Sequence, residues 1–507
     1  MSCLSHLSRS FHSFRLSRCI PVLAITLLAS CGGSSDGGDD APPPAPPPPG
    51  RGTITAQAAV APATLPDGSR VQTVTAAQLR ALMSDEMEAV AGEPRCNVTT
   101  WTVRYRTAAP RDALTESTAA IMVPAGTDTN CTGARPVLVY AHGTTLDKRA
   151  TMANLADTEV RLLAAMFAAQ GYIVVAPNYQ GYEGSTLDYH PYLDEQLQGA
   201  DMVDALRAAR TSFGAMGASP STRLFVTGYS QGGHVALAAQ KAMQALPGEF
   251  ALTAVAGLSG PYAVIRFADS VVSGYPTQGI TGFLPMVTTA GQRAGAGIYA
   301  APGDMYEARY APTIENLLPS AVPAEQLVAQ GKLSATLFAR DSMPQPQGPT
   351  PFFGDHPLVR TSYRNAYLAD MAARPCAGEP QACAPENDLR KWAIRNDLRR
   401  YRPVAPLLLC GGDADPMVPF FNTTAASEYY AAQGSAPVLL DLDSDVTAND
   451  GWRSQRLGFA AAKRAVELDA LMNDEDPDAA VAERYHGTLV APFCLSAARE
   501  FFNARRP

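Results

Sequence analysis

Residues 223–244, RLFVTGYSQGGHVALAAQKAMQ, constrain the fold of this chain more than any other stretch. Leu224, Phe225, Val226 and Thr227 are strand formers. Gly228-Tyr229-Ser230-Gln231-Gly232-Gly233 follows. A helical run comes next, with Val235, Leu237, Ala238 and Met243 apolar and His234, Gln240 and Lys241 polar. A serine flanked by glycines between a strand and a helix is the sequence form of a strained turn that lifts a hydroxyl above a sheet edge. Glycine is required on both sides because a Cβ there would strike the neighbouring strand or helix. The helix N-terminus beneath Ser230 presents free N–H groups that favour developing negative charge. The same pattern also occurs as a plain glycine-rich turn, so the rest of the chain must supply a base and an acid.

Periodicity places the other elements. Residues 75–87 read as a helix. Residues 98–106 (VTTWTVRYR) alternate as a strand that pairs with 118–123. Residues 136–141 (PVLVYA) form a continuous apolar strand of the buried parallel kind. A helix over 158–169, a strand over 172–176 and a helix over 194–210 lead to the serine strand. Further strands are expected over 252–258, 404–409 and 438–442, and a closing helix contains 497–502. Strands alternating with helices predict a mostly parallel sheet covered on both faces. Between residues 261 and 403 that rhythm stops. About 140 residues is far longer than a connection, so this segment must carry structure of its own. It is rich in Gly, Pro, Met and aromatics, with helical stretches over 323–330 and 387–398, and it reads as a cap or lid over the active site.

The N-terminus is of a different kind. Arg9, Arg15 and Arg18 precede a short apolar core over 20–28, and Leu28-Ala29-Ser30-Cys31 ends it. Residues 1–30 therefore read as a signal peptide. The tetrapeptide resembles a bacterial lipobox, in which cleavage precedes the cysteine and Cys31 takes lipid. Multiple acylation anchors stably where a single chain does not. Gly32 follows and no aspartate does, which by resemblance to Gram-negative sorting signals suggests the outer membrane, on its periplasmic or cell-surface face. Residues 31–52 are Gly/Pro-rich and read as an extended tether. The domain reading is thus 1–30 signal, 31–52 lipidated tether, 53–260 first part of the core, 261–403 cap and 404–507 second part of the core.

Formal net charge is −8 and no basic stripe occurs, which argues against a nucleic-acid partner. Of nine cysteines, Cys3 and Cys19 lie in the signal and Cys31 takes lipid. Six remain, and an even number in an exported chain implies bridges. The expected pairs are Cys96–Cys131, Cys376–Cys383 and Cys410–Cys494. No spacing resembles a zinc site and no HExxH occurs, so no metal or organic cofactor is implied.

A serine hydroxyl needs a base, and the base needs an orienting group. On this architecture the order along the chain is Ser, acid, His. The strand at 404–409 runs into Cys410-Gly411-Gly412-Asp413-Ala414-Asp415-Pro416-Met417-Val418-Pro419. A carboxylate just past a strand is well placed, and Asp415 is preferred over Asp413, which suits a turn. Past residue 30 the histidines are His142, His190, His234, His356 and His486. Only His486 follows Asp415, on what reads as a loop before the closing helix. His142 and His234 read as structural. His190 and His356 could line the cleft, with surface as the default. The oxyanion hole needs two backbone N–H groups. Gln231 supplies one, and Thr144 in the loop His142-Gly143-Thr144-Thr145 the other.

YAHGTT, APNYQGYEGS, GYSQGG, GGDADPMVP and the late His486 together resemble the α/β-hydrolase superfamily. The insertion and the helical lead-in resemble the secretory lipase (lipase A-like) family in particular. The spacing from Asp415 to His486 is long for the superfamily and leaves room for an extra subdomain over 443–485. The resemblance implies an α/β-hydrolase fold, ester hydrolysis through an acyl-enzyme on Ser230, and a lid over an apolar acyl tunnel. The substrate would be a small-molecule or lipid ester, polyesters included. Two alternatives share the scaffold. One is a peptidase, for which Glu307 or Asp355 could hold a free amine. The other is a catalytically idle envelope binding protein.

Overall fold

The strand-forming runs pair into a ten-stranded sheet. The computed structural model describes residues 50–506 apart from 348–350, 377–379 and 381. The expected signal peptide, the lipidation of Cys31 and most of the tether lie outside the described residues. Those residues fall within one compact unit, Pro44–Pro507.

The chain enters through β1 (Ile54–Val60), a two-residue ladder of β2 (Ala63–Thr64) and β3 (Arg70–Val71), and β4 (Thr73–Val74). The single helix expected over 75–87 is two: α1 (Ala76–Ala81) and α2 (Asp85–Ala91). Each starts on its own cap. The Thr75 hydroxyl accepts from Gln78 N–H and the Ser84 hydroxyl from Met87 N–H. Ser84 satisfies a fresh set of orphan donors and so restarts the helix instead of continuing it.

A long hairpin follows, β5 (Asn97–Ala108) against β6 (Leu114–Ala125), with β1 and β4 on the outer edge of β5. Then come β7 (Arg135–Ala141), α3 (Thr158–Met166), β8 (Ile173–Pro177), α4 (Glu195–Ser212), β9 (Pro220–Tyr229), α5 (Gln231–Gln244) and β10 (Leu252–Leu258). After a long insert the sheet resumes with β13 (Leu407–Gly411) and β14 (Val438–Asp441). The strand order is β1-β5-β6-β8-β7-β9-β10-β13-β14. Pairing is antiparallel as far as β8 and parallel from β8 onward. Strand β13 starts later than the expected 404, because Pro406 brings no N–H to a ladder and Val404 is exposed.

Successive side chains of a strand point to opposite faces. Leu138, Val174, Phe225, Ala256 and Leu408 accordingly join a core with α3 on one face. Val137, Val139, Val175, Val226 and Leu409 join another with α4 and α5.

The insert holds α6 (Val264–Val272), α7 (Ile280–Arg293), α8 (Pro302–Met305), α9 (Ala324–Ala329), a ladder of β11 (Phe338–Ala339) with β12 (Phe353–Gly354), α10 (Thr361–Ala373) and α11 (Asp388–Arg395). Its apolar side chains form a third cluster around Met286, Tyr306, Leu337, Tyr367 and Trp392. Arg390 is buried and ion-paired to Asp269 at 3.0 Å and Asp370 at 2.8 Å, which ties α11 to α6 and α10.

Beyond β13 come α12 (Phe421–Ala432) and, after β14, α13 (Arg453–Met472) and α14 (Pro477–Arg484), which occupy the stretch expected to hold extra structure. A π-helical stretch, Tyr485–Val490, runs directly into α15 (Ala491–Asn503), whose Phe501 and Phe502 pack into the α3-side core.

All three expected disulfides form, with Cα–Cα distances of 5.5 Å for Cys96–Cys131, 5.0 Å for Cys376–Cys383 and 5.6 Å for Cys410–Cys494. The last joins the end of β13 to α15 and closes the longest loop, 84 residues. Each bridge stabilises by about 2–4 kcal/mol through the unfolded chain. Thermal scans with and without dithiothreitol should show a clear fall in melting temperature on reduction. An unchanged value would mean that the bridges contribute nothing to stability.

Candidate active site

Ser230 sits alone between β9 and α5, with φ 57° and ψ −123°. Such a conformation costs a non-glycine residue about 1–3 kcal/mol and persists only when its surroundings fix it. Here they do. Ser230 N–H donates to Leu258 O at 2.9 Å, and Gly233 N–H donates to Ser230 O at 2.8 Å. The steric demand for glycine is explicit. A Cβ on Gly228 would lie 2.2 Å from Gly232 O, and one on Gly232 would lie 1.9 Å from Ala141 O.

Asp415 occupies the turn after β13. Its Oδ1 accepts from the N–H groups of Met417 (2.9 Å) and Val418 (3.0 Å). Its Oδ2 accepts from Ser259 Oγ (2.9 Å) and faces His486 Nδ1 at 2.7 Å. Asp413 is exposed, and its backbone N–H is bonded to Asp441, so Asp415 is the carboxylate that meets the imidazole.

His486 is not on a loop. It is the second residue of the π-helical stretch, in a nearly continuous helical path from α14 to α15. One wide turn joins the two helices, as single π turns in functional sites commonly do. Tyr229, next to Ser230, packs its ring 5.0 Å from the His486 ring and donates its hydroxyl to the His486 carbonyl. The carboxylate at Nδ1 fixes the proton there and leaves Nε2 an acceptor. Nε2 is buried and has no hydrogen-bond partner among the described residues.

The loop after β7 is held from several sides. His142 is buried, stacks on Tyr179 at 4.0 Å and turns its ring nitrogens to Gly143 O (2.7 Å) and Asn178 O (3.2 Å). Burial pushes its pKa down. Thr144 Oγ1 shares a 2.8 Å hydrogen bond with Tyr192 OH. Gly143 N–H donates to Glu159 Oε1 at 2.9 Å, and Tyr140 OH donates to the same oxygen at 2.7 Å. Burial pushes the Glu159 carboxyl up to about 7.

His190 departs from its expected surface position. It is 1% exposed, enclosed by Tyr179, Tyr182 and Tyr192. Burial pulls its pKa down to about 3, so the ring is neutral. Nδ1 donates to Gln180 O at 2.8 Å, and Nε2 accepts from the Gln231 side-chain amide at 2.6 Å. His190 thus fixes the residue that follows Ser230. The one sequence signal was its aromatic surroundings, Tyr189 and Tyr192. His234 is buried against Asn396 O at 3.0 Å, with its pKa lowered by burial to about 4. His356 is exposed.

Ser230 and Gln231 line a narrow cavity of about 1000 Å³, its open mouth included. The insert supplies most of the wall, including Phe267, Ile280, Phe283, Leu337 and Trp392, while Met417 and Val418 come from the acid turn. Arg364 is the single charged residue in the lining among the described residues. It donates to Val272 O (3.0 Å), Ser342 Oγ (2.8 Å) and Pro344 O. No carboxylate lines the cavity among the described residues. Asp355 is instead an exposed partner of Arg340 at 2.9 Å, and Glu307 lies elsewhere in the insert. Among the described residues no cluster of His, Cys, Asp or Glu could hold a metal ion, and no helix is long and apolar enough to cross a membrane.

The sequence profile of the prolyl oligopeptidase family matches residues 158–254, from α3 through the Ser230 turn into β10. No curated protein matches the chain. Among solved structures, the rice cell wall degrading esterase LipA from Xanthomonas oryzae is 25% identical over 84% of this chain and 100% of its own, with a TM-score of 0.62. A ligand-bound form of LipA is 23% identical over 90% of this chain and 100% of its own, with a TM-score of 0.64. A Legionella pneumophila protein described as a hydrolase is 18% identical over 85% of this chain and 95% of its own, with a TM-score of 0.62. The sheet order, the serine turn between β9 and α5 and the full-length likeness to these structures agree, and the chain has the α/β-hydrolase fold.

Proposed function

We propose that this protein is a serine hydrolase of carboxylic esters, with Ser230 as nucleophile, His486 as base and Asp415 as the group that orients it. The observation that carries the reading is the buried Asp415–His486 pair, whose unpartnered Nε2 belongs to an imidazole packed on the residue next to Ser230. Ser230 Oγ attacks the ester carbonyl and its proton passes to Nε2. The tetrahedral oxyanion is met by the N–H groups of Gln231 and Thr144, each such donor lowering the barrier by about 3–4 kcal/mol. Collapse breaks the ester C–O bond, and the alcohol leaves with the proton from Nε2. Water, deprotonated by His486, then attacks the acyl-enzyme and frees the acid. The apolar wall of the cavity suits an apolar acyl group, with the insert acting as the cap that excludes water.

The prolyl oligopeptidase profile favours a second reading, a peptidase. The matched stretch carries the serine turn, which ester and amide hydrolases share, but none of the insert. A cavity without a carboxylate offers nothing to neutralise a free amine, and the LipA neighbour is named as an esterase. Both favour the ester reading. The envelope location rests on the sequence: lipid on Cys31, with residues 31–52 holding the catalytic body off the outer membrane.

A panel of p-nitrophenyl esters of rising acyl length, run beside matched amides, tests the assignment. Turnover of apolar esters is expected, with amides at background. Faster cleavage of prolyl or other aminoacyl amides would establish the peptidase instead. Failure of a fluorophosphonate to label Ser230 would leave an idle binding protein.

A further inference from the structure

The proposed mechanism leaves a half-buried ionisable group next to the site, Glu159, unused. Glu159 lies in the first turn of α3, and its Oε1 takes both Gly143 N–H and Tyr140 OH. Gly143 precedes Thr144, the residue proposed to donate to the oxyanion. The peptide unit joining them contains Gly143 C=O and Thr144 N–H in one plane. Without a side chain, Gly143 does little to restrict rotation of that plane. Two contacts do so instead. His142 Nδ1 lies 2.7 Å from Gly143 O, at one end of the plane, and Glu159 holds the preceding N–H. Glu159 and the Ser230 strand both lie close to Gly143: a Cβ built there would be in ordinary contact with Glu159 Oε2 at 3.4 Å and Tyr229 O at 3.6 Å.

We propose that Glu159 is a positioning residue for the oxyanion hole, acting through Gly143 to aim Thr144 N–H at the carbonyl oxygen held over Ser230. This rests on the reading of Ser230 as nucleophile and Thr144 as donor. Glu159 suits the task because one oxygen, Oε1, accepts from both Gly143 N–H and Tyr140 OH and so ties the loop to the start of α3. The benefit appears only as negative charge develops on the substrate oxygen, so it belongs to kcat and not to substrate binding.

The test uses the purified full chain and one p-nitrophenyl ester. Glu159→Ala should lower kcat about 10–100-fold, the scale of a misplacement of about 1 Å. KM should stay within about 3-fold, since ground-state binding is untouched. Affinity for a trifluoromethyl ketone, which forms a tetrahedral adduct on the serine, should fall by the same factor as kcat. Glu159→Gln keeps an acceptor at the Oε1 position and should restore most of the rate. Glu159→Asp withdraws the carboxylate by one methylene and should behave like the alanine variant, which keeps the test open if Glu159→Ala does not fold. Wild-type kcat in Glu159→Ala or Glu159→Asp, or a fall in kcat without the matching loss of ketone affinity, overturns the proposal. Ser230→Ala separates the levels. If it is inactive while Glu159→Ala is at wild-type rate, only the positioning role fails; if it is active, the reading beneath fails as well.

Discussion

Ser230→Ala is expected to lower kcat for ester hydrolysis by about 10⁶ while leaving the melting temperature within a degree or two of wild type. The two halves of that expectation have separate causes. The rate falls because the one other hydroxyl of the turn, that of Tyr229, is bonded to the His486 carbonyl and cannot replace the serine. The fold survives because Ser230 Oγ makes no hydrogen bond among the described residues, and the strained backbone is held by Ser230 N–H on Leu258 O and Gly233 N–H on Ser230 O, bonds an alanine keeps. His486→Ala should cost about as much, and the double variant little more, because groups that act as a unit are not additive. Asp415→Asn should lose about 10⁴. Met417 and Val418 would still hold the side-chain oxygen, and the amide NH₂ would then face Nδ1. That arrangement favours the proton on Nε2, where it cannot accept from the serine. A Ser230→Ala variant within tenfold of wild-type activity would remove the nucleophile from Ser230.

The serine turn was legible because its requirement is steric and local. Gly228 and Gly232 are fixed by backbone atoms nearby, so the pattern carries its own structure. Asp415 was legible from its place at the end of an apolar strand, and His486 because no other histidine follows that acid. The setting of His486 was not. A π turn between two helices has no periodic signature. His190 and Glu159 were missed for a related reason. Each is polar in a stretch that reads as exposed, and its partners come from other elements: Gln231 for His190, and Gly143 with Tyr140 for Glu159. Strand β1 escaped because an edge strand with partly exposed residues lacks the alternation that marks its neighbours. The insert showed its need for its own structure through length and aromatic content. That Phe267, Phe283 and Trp392 would wall the cavity at Ser230 required the fold of the insert to be known.

Gly232→Ala should cost far more stability than an ordinary glycine-to-alanine change, above about 4–5 kcal/mol, with failure to accumulate as a soluble protein the extreme form. The added Cβ would lie 1.9 Å from Ala141 O, 2.6 Å from Ala141 C and 2.8 Å from His142 O. All three are backbone atoms, so no rotamer change relieves the clash. Ala141 ends β7, which pairs with β8 on one side and β9 on the other. Moving it would break ladder hydrogen bonds at the centre of the sheet. Moving α5 instead would pull Gln231 from His190 and Ser230 from its two backbone bonds. Either response disturbs the loop over 142–145, so any folded fraction should also lose ester turnover. Gly487→Ala is the control, since nothing lies within 4 Å of its added Cβ and the residue is helical. It should be neutral or stabilising by up to about 1 kcal/mol, the difference in helix propensity. Urea unfolding of both variants decides the matter: a Gly232→Ala midpoint equal to wild type would mean that β7 and α5 are not locked together at the serine turn, and the steric account of the motif would fall with them.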